Sequence, residues 1–319
     1  MKKYAVGIDV GGTTAKFGIV DRNGKILEQD RVPTNKHDIA EDFIDDMHAK
    51  LLPMIERAGG ISNFVGIGMG APNGNFYTGT IEYAPNLRWK GIIPIAELMR
   101  KKFDLDTKLT NDANAAAVGE QMYGCTKHIK HFITITLGTG VGSGIVIDGK
   151  IVLGHDGFAG ELGHTIIRPG GRLHKTTGMR GSLESYASAT GVRETAIELM
   201  TVHPEAPSLL RNYRLNELTS ENVYDCAMQG DTIANNIFEF TGQILGESLA
   251  NFVMFSSPEA IILFGGLTKA GNLLLNPTRK HMEANLLPIF QNKVKLLFSE
   301  LKEADAAILG ASALVWKKN

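Results

Sequence analysis

The alternation of apolar runs and polar turns at the start of the chain predicts three consecutive strands. Tyr4–Ile8 is an apolar run, and Lys16–Val20 is a second one that follows a glycine-rich turn. Arg22–Lys25 contains an Asn-Gly hairpin signal and leads into a third strand at Ile26–Val32. A Rossmann or P-loop sequence would place a helix directly after the glycine turn. The opening therefore predicts a β-meander and neither of those folds.

Helices and further strands follow along the rest of the chain. The pattern predicts helices at Ile39–Arg57, Ile93–Lys102, Ala113–Met122, Thr232–Phe255, Leu273–Leu287 and Ala304–Trp316. It predicts strands at Val65–Met69, just before Asn111, at Phe132–Leu137, at Ser143–Ile147, from Ile151, and at Ala260–Phe264. The small residues of the last helix suit close packing, and chain ends often meet, so this helix could fold back on the first domain.

The opening pattern recurs in the middle of the chain. Gly18–Ile26 and Gly144–Ile151 share a strand, a tight Gly-Lys turn and a further strand, and each follows a glycine turn. Duplication predicts two domains of similar fold; the alternative is that two β-hairpins resemble each other by chance. We expect an N-terminal domain over 1–112 together with the C-terminal helix 304–319, and a C-terminal domain over 113–303.

Composition narrows the class of protein. The 319 residues, 43% hydrophobic and 21% charged, are enough for two globular domains. A net charge of -1 offers no basic field for DNA, so we expect no nucleic-acid partner. Cys125 and Cys226 form neither a metal motif nor a disulfide framework, which suits a reducing compartment. No apolar run has membrane-spanning length, and Asp9 interrupts the start too early for a signal peptide. We expect a cytoplasmic protein with no membrane partner.

The first glycine turn is a candidate phosphate-binding site. Glycines let the backbone approach a ligand and present several N–H groups to anionic oxygens. Threonine hydroxyls add donors, and an aspartate there could hold Mg²⁺ through water. The alternative is a simple hairpin turn that begins with a hydrogen-bonding aspartate. The candidate residues are Asp9, Gly11, Gly12, Thr13, Thr14 and Lys16.

The second glycine turn occupies the corresponding position of the second copy. It contains Gly138, Thr139 and Gly140. If a pseudo-twofold axis relates the domains, the two turns face each other and clamp one triphosphate. A third segment, Gly265-Gly266, stands between a buried strand and a helix, where a plain strand-to-helix turn is the alternative to a nucleotide contact.

Four motifs together resemble a known family. The most specific runs over Leu137–His164, and Asp9–Thr13, Ala84–Trp89 and Asn111–Asn114 accompany it. They resemble the ROK family (repressors, open reading frames and kinases), within the fold group of actin, sugar kinases and heat-shock chaperones. The similarity extends over Ile8–Ala311, and it implies an α/β fold with two ribonuclease-H-like, actin-like ATPase domains around a nucleotide and sugar cleft. It also makes Gly265-Gly266 similar to an adenosine-contacting segment.

The resemblance implies that Asp112 is the catalytic base, which takes the proton of a sugar hydroxyl as it attacks the γ-phosphorus of ATP. On position alone, Asp112 is equally suited to be the N-cap of the next helix, and one side chain can do both. The residues implied for sugar binding are Asn86, Asn111, Asp112, Glu161, His164 and Glu184.

Each remaining sugar candidate has a structural alternative. Asn86 could be a turn residue, and Asn111 could bond only its own backbone at the end of a strand. Glu161 could be solvated in its glycine-rich loop, and His164 could be an ordinary satisfied histidine. Glu184 is expected in the first turn of a helix, where the helix dipole favours a carboxylate in any case.

The sequence departs from the family at a zinc site that many members build from one His and three Cys. Here the three thiolate positions are occupied by Lys175, Thr177 and Ser182. His164 alone cannot replace the four ligands of a closed zinc site, so we expect no structural zinc. A rebuilt site would have to draw on His155 and His174.

The resemblance implies ATP and Mg²⁺ as cofactors, a sugar acceptor, and a homodimer by analogy with relatives. Glucose, giving glucose 6-phosphate, is the default acceptor; N-acetylglucosamine, N-acetylmannosamine, fructose, mannose and allose stay open. A repressor of the family would need a helix-turn-helix segment before the first strand, for which Tyr4 leaves no room. A sugar sensor or a nucleotide-switched protein is the remaining alternative.

Overall fold

The computed structural model describes residues 2–316. The strands are β1 Tyr4–Val10, β2 Thr14–Asp21, β3 Ile26–Pro33, β4 Phe64–Ala71, β5 Ile81–Glu82, β6 Ile92–Ile93, β7 Thr107–Asn111, β8 Phe132–Leu137, β9 Val141–Ile147, β10 Lys150–Ile151, β11 Ala260–Phe264 and β12 Lys295–Phe298. The α-helices are α1 Ala40–Arg57, α2 Ile95–Phe103, α3 Asp112–Tyr123, α4 Glu184–Ala187, α5 Ala189–Val202, α6 Ser220–Met228, α7 Thr232–Ser256, α8 Asn272–Ala284 and α9 Glu303–Trp316.

Two five-stranded sheets have the same strand order. The first runs β3-β2-β1-β4-β7, and the second runs β10-β9-β8-β11-β12. In the first, β1, β2 and β3 are antiparallel while β4 and β7 are parallel to β1. In the second, β10 is antiparallel to β9, and β11 and β12 run parallel to β8. The shared order confirms that the repeated sequence pattern is a duplicated fold.

Several predicted boundaries differ from the observed ones. The third strand of the second copy has only two residues, Lys150–Ile151. The helix predicted to reach Leu287 ends at Ala284, and the apolar Leu287 is exposed beyond it. The sequence patterns did not predict α5, α6 or β12. Among the described residues, no helix combines the length and apolar character needed to cross a bilayer.

The chain divides into two compact units. One contains the residues up to Lys130, Gly144–Gly160 and the residues from Ser299 onward; the other contains His131–Ser143 and Glu161–Phe298. The sequence placed the domain boundary near residue 112, whereas the chain passes between the compact units after Lys130, Ser143, Gly160 and Phe298.

Close packing against α9 explains why helix α3 belongs to the first unit. A methyl group on Gly119 of α3 would lie only 2.7 Å from the Cα atom of Gly310 in α9. The two helices thus pack backbone to backbone, and α3 stays with α9.

The first sheet carries helices on both faces. Apolar side chains such as Ile8 and Phe17 form one core with Phe43 and Met47 of α1. Helix α9 packs against the opposite face of the sheet. At the contact with α9 the strands have glycines, such as Gly7 and Gly68, in place of apolar side chains. Because alternate residues of a strand point to opposite faces, Asp9 shares the glycine face of β1.

Candidate active site

Asp9 and Asp112 lie near the carboxyl ends of neighbouring parallel strands. Asp9 of β1 pairs with Gly70 of β4, and β4 pairs with β7, which ends one residue before Asp112. A methyl group on Gly70 would lie 3.5 Å from the Cα atom of Asp112. Gly70 of β4 therefore lies close to Asp112, at the start of α3. Ligands of open α/β sheets bind at this edge.

The surroundings of both carboxyl groups favour their neutral forms. Burial is the main reason that the pKa of Asp9 rises to about 6; the charge of Asp112 acts in the same direction, and Lys16 opposes both. Lys16 lies opposite Asp9 across the β1–β2 ladder. Loss of solvation also raises the pKa of Asp112, partly offset by the backbone N–H of Ala113. By surface area Asp112 is nevertheless exposed, so a substrate can reach it.

This pair of carboxylates fits a divalent cation. Two negative groups that repel each other in a poorly solvated place are stabilised by a positive ion. Carboxylate oxygens are also the ligands that Mg²⁺ prefers.

Asn111 is the N-cap residue of α3. The Asn111 Oδ1 atom accepts a hydrogen bond from the Ala113 N–H at 2.8 Å. The Asp112 Oδ1 atom accepts from the same N–H at 2.8 Å, but Asp112 is already the first residue of the helix. The alternative that Asp112 is the N-cap is therefore wrong. Because Asn111 uses its oxygen locally, its Nδ2 amide is the end that suits a ligand.

The first glycine turn closes a hairpin and also contacts the loop of Asn86. The Gly11 N–H donates to the Thr14 carbonyl at 3.2 Å, and the Thr34 hydroxyl donates to the Gly11 carbonyl at 2.7 Å. A methyl group on Gly12 would lie 2.7 Å from the Asn86 carbonyl oxygen. A simple hairpin explains the Gly11–Thr14 hydrogen bond. The close contact of Gly12 with Asn86, however, places the turn beside a residue predicted to bind the sugar. Thr13 and Asn86 are exposed at this place.

The second glycine turn is held by the start of α5. The Gly138 N–H donates to the Gly140 carbonyl at 3.0 Å. The Ala189 N–H donates to the Gly138 carbonyl at 2.8 Å, and the Thr190 hydroxyl donates to the Thr139 carbonyl at 3.0 Å. These bonds satisfy carbonyl groups of the turn and fix its shape.

Gly265 lies against the end of β8, next to the second turn. Its φ is +106°, and a methyl group there would lie 2.6 Å from the Leu137 carbonyl oxygen. Both facts demand glycine. The segment that follows, Gly266–Ala270, is a short 3₁₀ helix. The structure thus brings together the two glycine segments predicted to bind nucleotide in the second unit.

Glu184 connects the second turn with the loop before α4. It is the first residue of α4, as the sequence predicted. Its Oε2 atom accepts a hydrogen bond from the Val141 N–H at 2.7 Å, and its Oε1 atom lies 3.0 Å from the Nε2 atom of His174. A methyl group on Gly140 would come within 2.3 Å of the same Oε2 atom. Glycine at this position therefore lets the carboxylate reach the turn.

Glu161 and His164 remain accessible in the same unit. The His164 Nε2 and Glu161 Oε2 atoms are 3.9 Å apart, too far for a hydrogen bond. The Nδ1 atom of His164 is buried and has no hydrogen-bond partner among the described residues. The alternative that His164 is an ordinary satisfied histidine is therefore wrong. The His164 and His174 ring centres are 6.4 Å apart.

At two of the positions where the resemblance implied zinc ligands, Thr177 and Ser182, the hydroxyl groups have local hydrogen-bond partners. The Thr177 hydroxyl is 2.8 Å from the Nδ1 atom of His174, and the Ser182 and Ser185 hydroxyls are 2.8 Å apart. Across residues 2–316, no three His, Cys, Asp or Glu side chains are grouped to hold a metal ion.

Arg172, which sequence analysis did not single out, has several partners nearby. Its guanidinium donates to the carbonyls of Ser185 and Gly191 and to Glu198. In the sequence, only the missing thiolates pointed to this region. Their absence indicates that other groups hold the loop, but it does not identify the residue.

Comparison with known proteins identifies the family. The family model described as ROK family matches residues 5–318. The chain belongs to the ROK family. Its fold is accordingly the two-domain actin-like ATPase fold of ROK sugar kinases, and the strand order of the two sheets agrees with it.

Relatives within the ROK family include glucokinases along the whole chain. The glucokinase of Halalkalibacterium halodurans is 36% identical over 98% of this chain and 95% of its own length. The glucokinase of Thermotoga maritima is 31% identical, with 98% of each chain covered. A crystal structure of a ROK family glucokinase from Streptomyces griseus, in complex with glucose and AMPPNP, is similar with a TM-score of 0.80 and 31% identity over 98% of each chain.

Repressors of the family are also similar. The xylose repressor of Bacillus subtilis is 29% identical over 98% of this chain, which spans 77% of the repressor.

Proposed function

We propose that this chain is an ATP-dependent hexose kinase that converts glucose to glucose 6-phosphate. The observation that carries the proposal is the similarity, along the whole chain, to glucokinases and to a glucokinase that binds glucose and an ATP analogue. The glucokinases are also more similar to this chain than the xylose repressors are. The accessible carboxylate of Asp112 supplies the base that such a reaction requires.

Asp112 takes the proton from the attacking hydroxyl. In phosphoryl transfer through a loose transition state, that proton becomes acidic as the P–O bond forms, so an ordinary carboxylate is basic enough. The raised pKa of Asp112 makes it a better proton acceptor than a solvated aspartate. The hydrogen bond from Ala113 fixes the orientation of the carboxylate.

The remaining site residues bind and position the substrates. Asn86, Asn111, Glu161, His164 and Glu184 hydrogen-bond the sugar hydroxyls, since they combine donors with acceptors. The two glycine turns and Gly265-Gly266 bind ATP through backbone N–H groups. Asp9 would hold Mg²⁺ through water, and the ion would neutralise charge on the phosphates. The chain acts in the cytoplasm as a homodimer, in line with the exposed apolar Met254 and Phe255 of the second unit.

The test is ADP release from Mg-ATP across a panel of hexoses. Glucose should stimulate release most, and Asp112→Ala should lower kcat by at least about a hundredfold. Asp106→Ala is the matched control, because Asp106 is an exposed aspartate of the same unit. If no sugar stimulates release, the kinase assignment is refuted. If Asp112→Ala keeps the wild-type rate, the assignment of the base is refuted.

A further inference from the structure

A chain of polar contacts leads through the 172–184 loop to Glu184. The Met179 N–H donates to the Thr177 hydroxyl oxygen at 3.3 Å. The Thr177 hydroxyl and the His174 Nδ1 atom are 2.8 Å apart. The His174 Nε2 atom is 3.0 Å from Glu184 Oε1. Both ring nitrogens of His174 therefore have partners.

The partners determine which atoms donate. A carboxylate has no hydrogen to donate, so the Nε2 atom of His174, which lies 3.0 Å from Glu184 Oε1, carries a hydrogen. In neutral imidazole the other nitrogen then accepts, and the Thr177 hydroxyl donates to Nδ1 while its oxygen accepts from Met179. Each bond fixes the direction of the next.

His174 completes the hold on both oxygens of Glu184. The Val141 N–H donates to Oε2, and the Nε2 atom of His174 lies within ion-pair distance of Oε1. Polar contacts from two different elements restrict the plane of the carboxylate, whereas Val141 alone would let it turn. The His174 and Glu184 side chains are only 18% and 13% exposed, so water competes poorly for these contacts. A carboxylate oxygen accepts more than one hydrogen bond, so Glu184 can still bind a sugar hydroxyl.

Hydrogen bonds between side chains and backbone also hold the loop. Ser182 and Ser185 share a buried hydrogen bond. The Arg172 guanidinium lies 4.6 Å from the centre of the Tyr186 ring and donates to the carbonyls of Ser185 in α4 and Gly191 in α5. Two of the three former thiolate positions, Thr177 and Ser182, thus use hydroxyl groups in hydrogen bonds.

We propose that His174, supported by Thr177, is the positioning residue that holds Glu184 for sugar binding, and that this network takes over the ordering role of zinc. The inference rests on the proposed function, because it gives Glu184 a role in binding the sugar. His174 acts through Glu184 and does not touch the reacting atoms.

The test compares His174→Ala, His174→Gln and Thr177→Val by ADP-release kinetics and by calorimetric binding of glucose. Loss of this polar contact with a charged group should raise both KM and Kd for glucose about tenfold in His174→Ala, with kcat changed far less. His174→Gln keeps an N–H near the Nε2 position and should recover most of the affinity. Thr177→Val should weaken binding, whereas Thr176→Val, a matched change at the neighbouring exposed threonine, should not.

Several outcomes would overturn the inference. A glucose Kd within twofold of wild type in folded His174→Ala would do so, as would His174→Gln that is no better than His174→Ala. If His174→Ala does not fold, equal affinities of Thr177→Val and Thr176→Val decide against the network. A fall in Tm after treatment with a zinc chelator would refute its metal-independent ordering. A wild-type chain that binds glucose but does not phosphorylate it would refute the proposed function and leave the binding comparison valid.

Discussion

The packing of α9 against the first sheet depends on strand glycines, and Gly68→Ala tests it. A methyl group at Gly68 would lie 1.9 Å from the carbonyl oxygen of Ala311 in α9. Ordinary contact would require the helix backbone to retreat by about 1.5 Å. Overpacking in well-packed cores costs about 1–3 kcal/mol. We expect about 3 kcal/mol here, because the obstacle is backbone and not the end of a flexible side chain.

Thermal unfolding measures this cost. For a unit of this size, about 3 kcal/mol lowers Tm by roughly 6–12 °C. Gly138→Ala is the stability control, since a methyl group at Gly138 meets nothing within 4 Å. Gly7→Ala, whose methyl would lie 2.0 Å from the Ile308 carbonyl oxygen, should behave like Gly68→Ala. If Gly68→Ala and Gly138→Ala melt at the same temperature, the reasoning about the helix contact is refuted.

Two further changes test the first unit. Gly12→Ala should raise the KM for glucose about tenfold, roughly 1.4 kcal/mol, because the turn or the Asn86 loop must shift; unchanged steady-state kinetics would contradict this. Burial raises the pKa of Glu120 above its usual 4.5, against hydrogen bonds from Ser299 and Cys125. The folded state then binds the proton more tightly than the unfolded state, so the contribution of Glu120 to stability is full below pH 4.5 and is lost as pH rises through the folded pKa. Melting curves should show wild type losing stability relative to Glu120→Gln across that window, and a pH-independent difference would argue against the shift.

The sequence alone determined the fold class and most of the candidate site. The meander, the repeated glycine turns and the buried strands are local patterns. Each depends on the spacing of apolar side chains and on the turn residues within a short stretch of chain. The motif from Leu137 to His164 was enough to indicate the family. The residues proposed to bind ATP and sugar were also named from their motifs.

The tertiary structure decided which residues support that site and where the chain divides. Asn111 caps α3 in place of Asp112, and α3 stays in the first unit because Gly119 packs against α9. His174 was visible in the sequence only as a possible metal ligand, yet its Nε2 atom lies 3.0 Å from Glu184 Oε1. Such contacts join residues that are far apart in the chain or in an irregular loop. No periodic pattern encodes them, so they are settled only when the packed elements fix the distances between individual atoms.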